Sequence, residues 1–90
     1  MFNSDNMTNE EDFAEFVKEK HMVVRPVVVD GKLVGWITWD GGHTLNFWNT
    51  KFENIDMRSV GDFSKSRISF KTFLKEANEY IKDIRREYRG

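Results

Sequence analysis

Two glycine turns constrain the middle of this chain more than any other feature. Asp30-Gly31 parts the β-branched run from Met22 to Val29 from a second run, Leu33 to Trp39. Asp-Gly between alternating apolar residues is a strong short-range signal for a β-hairpin. Asp40-Gly41-Gly42 then ends the second run and opens a third, which closes on Trp48. Residues 53–60, ENIDMRSV, carry weaker strand signals at Ile55, Met57 and Val60. The expectation is an antiparallel meander of three to four strands.

Side chains alternate between faces along a strand, so the turns also assign residues to faces. A two-residue turn at Asp30-Gly31 sets Val28 opposite Leu33, Val27 opposite Val34, Arg25 opposite Trp36 and Val24 opposite Ile37. Val24, Val28, Leu33, Ile37 and Trp39 then share one face. Arg25, Val27, Lys32, Val34, Trp36 and Thr38 share the other. Pro26 lacks an N–H, which marks the first strand as an edge or as bulged. A three-residue loop at Asp40-Gly41-Gly42 sets His43 opposite Trp39 and Leu45 opposite Ile37. Leu45 and Phe47 join the apolar face, and Thr44, Asn46 and Trp48 the mixed one. A four-residue loop would bury the Asn46 amide beside Ile37, a costly placement without partners.

Two helices flank the meander. Thr8 and Glu11 have capping-box spacing, Glu10, Glu11 and Asp12 suit a helix N-terminus, and Phe13, Phe16 and Val17 fall on one face. A short helix over about residues 9–20 follows. Ser69 is an N-cap for a longer helix whose apolar stripe is Phe70, Phe73, Leu74, Ala77, Ile81, Ile84 and Tyr88. Lys82, Arg85, Arg86 and Arg89 gather toward its C-terminus, where the helix dipole favours cations. The reading is a single small α+β domain over residues 8–90, preceded by a disordered leader at 1–7. The long C-terminal helix packs on the apolar sheet face, and the short helix packs beside it.

Composition bounds the function. Ninety residues make one domain, and 14% aromatic content supplies a core although the apolar fraction is 39%. With no cysteine there is neither a disulfide framework nor a thiolate metal site, which points to a cytoplasmic protein. The N-terminal stretch lacks the basic lead and apolar run of a signal peptide, and Val27–Val29 is far too short to cross a bilayer. Charge is uneven: residues 1–20 carry six acids against two lysines, and residues 58–90 nine bases against five acids, within a net charge of −1. Attraction between head and tail is the plain explanation.

All three tryptophans lie between positions 36 and 48. The register sends Trp39 into the core and sets Trp36 and Trp48 on the opposite face with Arg25, Thr38, Thr44 and Asn46. Trp and Arg are favoured interface anchors, so this face is the candidate partner-binding surface, the plainer alternative for Arg25 opposite Trp36 being a cation–π pair that only tidies the surface. The competing explanation is that the first helix, a terminal segment or a second copy covers the rings. Exposed rings on a sheet also suit single-stranded nucleic acid, ranked second because the face holds only Arg25 and Lys32, with Lys51 just beyond, and the sequence pI is about 6.1. Asp40 beside His43 has the chemistry of a general base, but Asp, Gly and His in a turn are ordinary hairpin residues. Asp40, His43 and His21 have no metal-ligand spacing, and Gly41-Gly42 is no phosphate loop. The sequence therefore points to a non-enzymatic module without cofactor or metal. Its partner is another protein or a second copy of itself, and as an adaptor, inhibitor or regulatory subunit it needs no membrane.

Overall fold

A computed structural model describes residues 10–61 and 64–89. The expected leader and the Thr8 cap lie outside the described residues. The elements run α1 (Glu10–Glu19), β1 (Val23–Val29), β2 (Lys32–Trp39), β3 (Thr44–Asn49), β4 (Asn54–Ser59) and α2 (Phe70–Arg89). The four strands form one antiparallel sheet in chain order. The single α+β domain expected from the sequence is what the chain forms.

Both helix ends have clear local causes. His21 turns into the left-handed region (φ 52°), and the Met22 N–H reaches the Val17 carbonyl at 3.0 Å while His21 N–H reaches Lys18 at 3.2 Å. This double closure ends α1, and Met22 and Val17 meet in the same apolar cluster. At the start of α2 the Ser69 hydroxyl accepts the Thr72 N–H at 3.1 Å, so Ser69 is the N-cap.

The first hairpin turns at Asp30 and Gly31, both at positive φ (52° and 80°), as a two-residue turn requires. Val29 pairs with Lys32 and Val28 with Leu33, as expected. Beyond them the register slips: Val27 pairs with Gly35, Pro26 with Trp36, Arg25 with Ile37 and Val24 with Thr38. Val34 is the extra residue of a bulge. Its neighbour Gly35 permits the close approach, because a Cβ there would collide with the Trp48 carbonyl oxygen and the Phe47 ring. A one-residue slip exchanges faces, so Val27 is fully buried and Arg25 lies on the face of Ile37, reversing both assignments made from an unbroken register.

The second hairpin also differs from expectation. Leu45 pairs with Trp39 and Phe47 with Ile37, so residues 40–44 separate the pairing positions. The wider loop is held by its own polar groups. The Asp40 carboxylate accepts the Gly42 N–H at 2.9 Å, and the Trp39 indole donates to the Gly42 carbonyl at 2.8 Å. The offset from the expected pairing is even, so the face assignments of β3 survive.

Two apolar layers sandwich the sheet. On one side Val27, Ile37, Trp39, Leu45 and Phe47 pack against Phe73, Ala77, Tyr80, Ile81 and Ile84 of α2. Trp39 stacks on Phe73 with ring centroids 4.5 Å apart. On the other side Phe13 and Phe16 of α1 cover Trp48, with Val17, Met22, Trp36 and Phe52 around them. The short helix thus lies on the face opposite α2, and not beside it. Among the described residues no helix is long and apolar enough to cross a membrane.

Candidate functional site

The structure separates the six residues proposed from the sequence. Trp36, Thr38, Thr44, Asn46 and Trp48 do share a face, with Trp36 opposite Trp48 and Thr38 opposite Asn46. Arg25 does not. The bulge turns it to the α2 side, where its guanidinium lies 3.5 Å from the side-chain amide oxygen of Asn78. A cation–π pair with Trp36 is therefore absent, and the guanidinium that does sit over a ring is Arg58, 4.3 Å from the centre of Tyr80.

The shared face is closed where the rings lie. Trp48 is 2% exposed and Thr38 fully buried, and the Trp48 indole donates to the Thr38 hydroxyl at 2.9 Å. Phe13 and Phe16 approach Trp48 edge-on at 5.5 Å. Trp36 is half-buried and stacks on Phe52 at 5.1 Å with planes 10° apart. These rings form the second core of the protein, and of the two explanations the cover by the first helix is the one the structure shows. The cause was visible in the chain: the stripe Phe13, Phe16 and Val17 needs an apolar surface, and α2 already occupies the other face. A base-stacking platform on these rings is blocked by the same cover.

Asp40 and His43 are engaged in holding loops. Asp40 caps its own turn, and the His43 ring nitrogens lie against the Val60 carbonyl at 2.9 Å and the Lys65 carbonyl. His43 thus fastens the segment after β4 to the second hairpin. An open hollow of about 530 Å³ lies nearby between Trp39, Lys65, Arg67 and Phe70, but neither Asp40 nor His43 lines it. Among the described residues, no group of three or more His, Cys, Asp and Glu is placed to hold a metal ion.

What the fold leaves open is the edge formed by β4. The two edges of the sheet are treated differently. On β1, Pro26 has no N–H, and Arg85 of α2 donates to the Val28 carbonyl at 2.9 Å. Each is a device that blunts an edge. On β4 no proline or lysine interrupts the strand, and among the described residues no strand pairs on its outer side. Met57 is 64% exposed and Ile55 49%.

The direction of its backbone groups follows from the ladder. Val60 N–H bonds to the His43 carbonyl at 2.8 Å, and Arg58 and Asp56 pair with Leu45 and Phe47 in the same register. Bonded pairs alternate along an antiparallel ladder, so Arg58 and Asp56 turn their N–H and C=O toward β3, whereas Met57 and Ser59 turn theirs outward. A second bulge, at Ile55, ends this regular stretch.

Flanking side chains make the edge rigid. The Tyr80 hydroxyl donates to Asp56 at 2.7 Å, and Arg58 forms a 2.8 Å ion pair with Asp83 of α2. Burial, aided by the hydrogen bond to the Asp56 carboxylate and its charge, pushes the Tyr80 phenol well above its usual range. On the opposite face the Asn54 amide donates to Asn46 at 3.1 Å. The sequence carried the apolar signal at Ile55 and Met57. That β4 would be an unguarded edge depended on the order of strands in space.

No protein-family model matches the chain, and comparisons with curated proteins and with solved structures find no match either.

Proposed function

We propose that this protein is a small non-enzymatic binding module that recognises another polypeptide by strand addition at β4, in the manner of an adaptor, inhibitor or regulatory subunit. A cytoplasmic setting, suggested by the lack of cysteine, belongs to the same proposal. The observation that carries it is the asymmetry of the edges: β1 is blunted by Pro26 and by Arg85, while β4 presents outward backbone groups beside an exposed Met57. Strand addition draws affinity from main-chain hydrogen bonds and specificity from alternate side chains. A binding role also accords with Asp40 and His43 being occupied by turn and loop contacts.

The test is a selection of extended peptides displayed against the protein at low micromolar concentration, with bound regions mapped by amide hydrogen exchange. Bound peptides should slow exchange at the Met57 and Ser59 amides. Met57→Pro removes one outward donor without touching the β3 ladder and should weaken binding by about tenfold or more. Protection confined to other strands, or to the start of α2, would refute the reading.

A further inference from the structure

We infer that the strand β4 accepts is β4 of a second copy of this chain, paired antiparallel about a two-fold axis through Met57. This rests on β4 being the recognition edge. It adds the partner and the register.

Geometry leaves few ways for this strand to pair with itself. Outward-facing residues must meet outward-facing residues if their N–H and C=O groups are to bond. Met57 and Ser59 are the outward pair, so the two-fold axis falls on Met57, Arg58 or Ser59, and an axis on Ser59, the last residue of β4, would set Met57 opposite Gly61 beyond the strand. An axis on Arg58 sets the two Arg58 side chains directly opposite one another, and like charges directly opposed across strands are destabilising. An axis on Met57 sets Asp56 of each copy opposite Arg58 of the other. Both residues lie on the α2 side of the sheet, beside Tyr80 and Asp83, so the carboxylate of one copy and the guanidinium of the other share one face. Met57 meets its own counterpart on the opposite face, where its side chain has no packing role to give up. The charge order Asp56-Met57-Arg58 is thus self-complementary about Met57 and self-repelling about Arg58.

Closure also favours a second copy. A two-fold axis uses the same patch on both subunits, so one exposed edge is consumed by another and no free edge remains at the join. The remaining outer edges of the joined sheet are the two β1 strands, each guarded by Pro26 and Arg85. Assembly therefore stops at two copies. A contact of one short strand per copy lies at the small end of interface sizes, so a weak, concentration-dependent dimer is expected.

Sedimentation equilibrium from about 10 µM to 1 mM tests this with variants at one exposed position. Wild type should show a monomer–dimer equilibrium. Met57→Lys and Met57→Glu, each placing like charges opposite themselves, should weaken association at least tenfold. Mixing the two in equal amounts should restore it, because Lys then faces Glu across the axis. Far-UV and near-UV circular dichroism should be unchanged in both variants. A wild type that stays monomeric to 1 mM, variants that associate as wild type does, or a mixture that fails to recover would each overturn the proposal. A monomeric wild type that still binds peptides with protection at Met57 and Ser59 would sink self-pairing and leave strand addition standing. Peptide protection elsewhere would sink both.

Discussion

Trp48→Ala decides whether the sheet face under α1 is core or contact surface. Trp48 is 2% exposed and is approached edge-on by Phe13 and Phe16. Emptying such a site costs about 3–5 kcal/mol in lost burial and cavity. The buried Thr38 hydroxyl also loses the indole N–H that bonds to it at 2.9 Å, adding about 1–3 kcal/mol. The sum, about 4–8 kcal/mol, is comparable with the whole stability of a chain of 90 residues, about 5–13 kcal/mol at the usual value per residue. Trp48→Ala should therefore be largely unfolded or close to it at 25 °C. Trp48→Phe keeps one ring, stranding the Thr38 hydroxyl for about 1–3 kcal/mol and adding the cavity left by the smaller ring, and Thr38→Val strands the indole N–H at about 1–3 kcal/mol. The double variant removes both partners together and should cost clearly less than the two single changes added. Urea unfolding followed by far-UV circular dichroism measures all four. A Trp48→Ala protein that loses less than about 1 kcal/mol would refute the closed core, and so would additivity of the Phe and Val changes within about 0.5 kcal/mol.

Gly35→Ala should destabilise by about 1–3 kcal/mol in the same urea assay, since the new Cβ meets the Trp48 carbonyl, which is backbone and has little freedom to yield. Wild-type stability should fall as pH rises above about 10: the unfolded chain then ionises Tyr80, while the folded protein holds that phenol neutral. Tyr80→Phe gives up the bond to Asp56, about 1.5–3 kcal/mol at pH 7, but has no phenol to titrate. Its deficit against wild type should therefore shrink by about 1.4 kcal/mol for each pH unit above 10, and a deficit that stays constant from pH 8 to 11.5 would show that burial does not hold the phenol neutral.

Much of the fold was legible because its signals are local. Asp30-Gly31 specifies a two-residue turn through two positive φ values, Ser69 specifies a cap, and the stripe from Phe73 to Ile84 specifies a helix that must lie on a sheet. What escaped was the bulge at Val34. Neither local pattern marks it strongly, because Leu33-Val34-Gly35 reads equally well as unbroken strand, and the slip is fixed by contact between Gly35 and residues more than ten positions later in β3. One extra residue then moved Arg25 and Val27 to the face opposite the one expected.

The cover over the Trp36–Trp48 face was not legible for a different reason. Alternation correctly placed Trp36 and Trp48 on the same side, opposite Trp39, but a face is a recognition surface only if nothing in the chain needs it for burial. Here the apolar stripes and the sheet faces are equal in number, and each helix takes one face. With both faces used, the unsatisfied valence of the sheet passes to its edges, where side-chain periodicity is silent and backbone groups count. One edge is closed by Pro26 and Arg85, and the other is left with Met57 and Ser59 turned outward. In a protein of this size, a Trp-rich sheet face beside an unassigned amphipathic helix therefore reads better as core, and the outermost strand that lacks proline and lysine is the place to look for a partner.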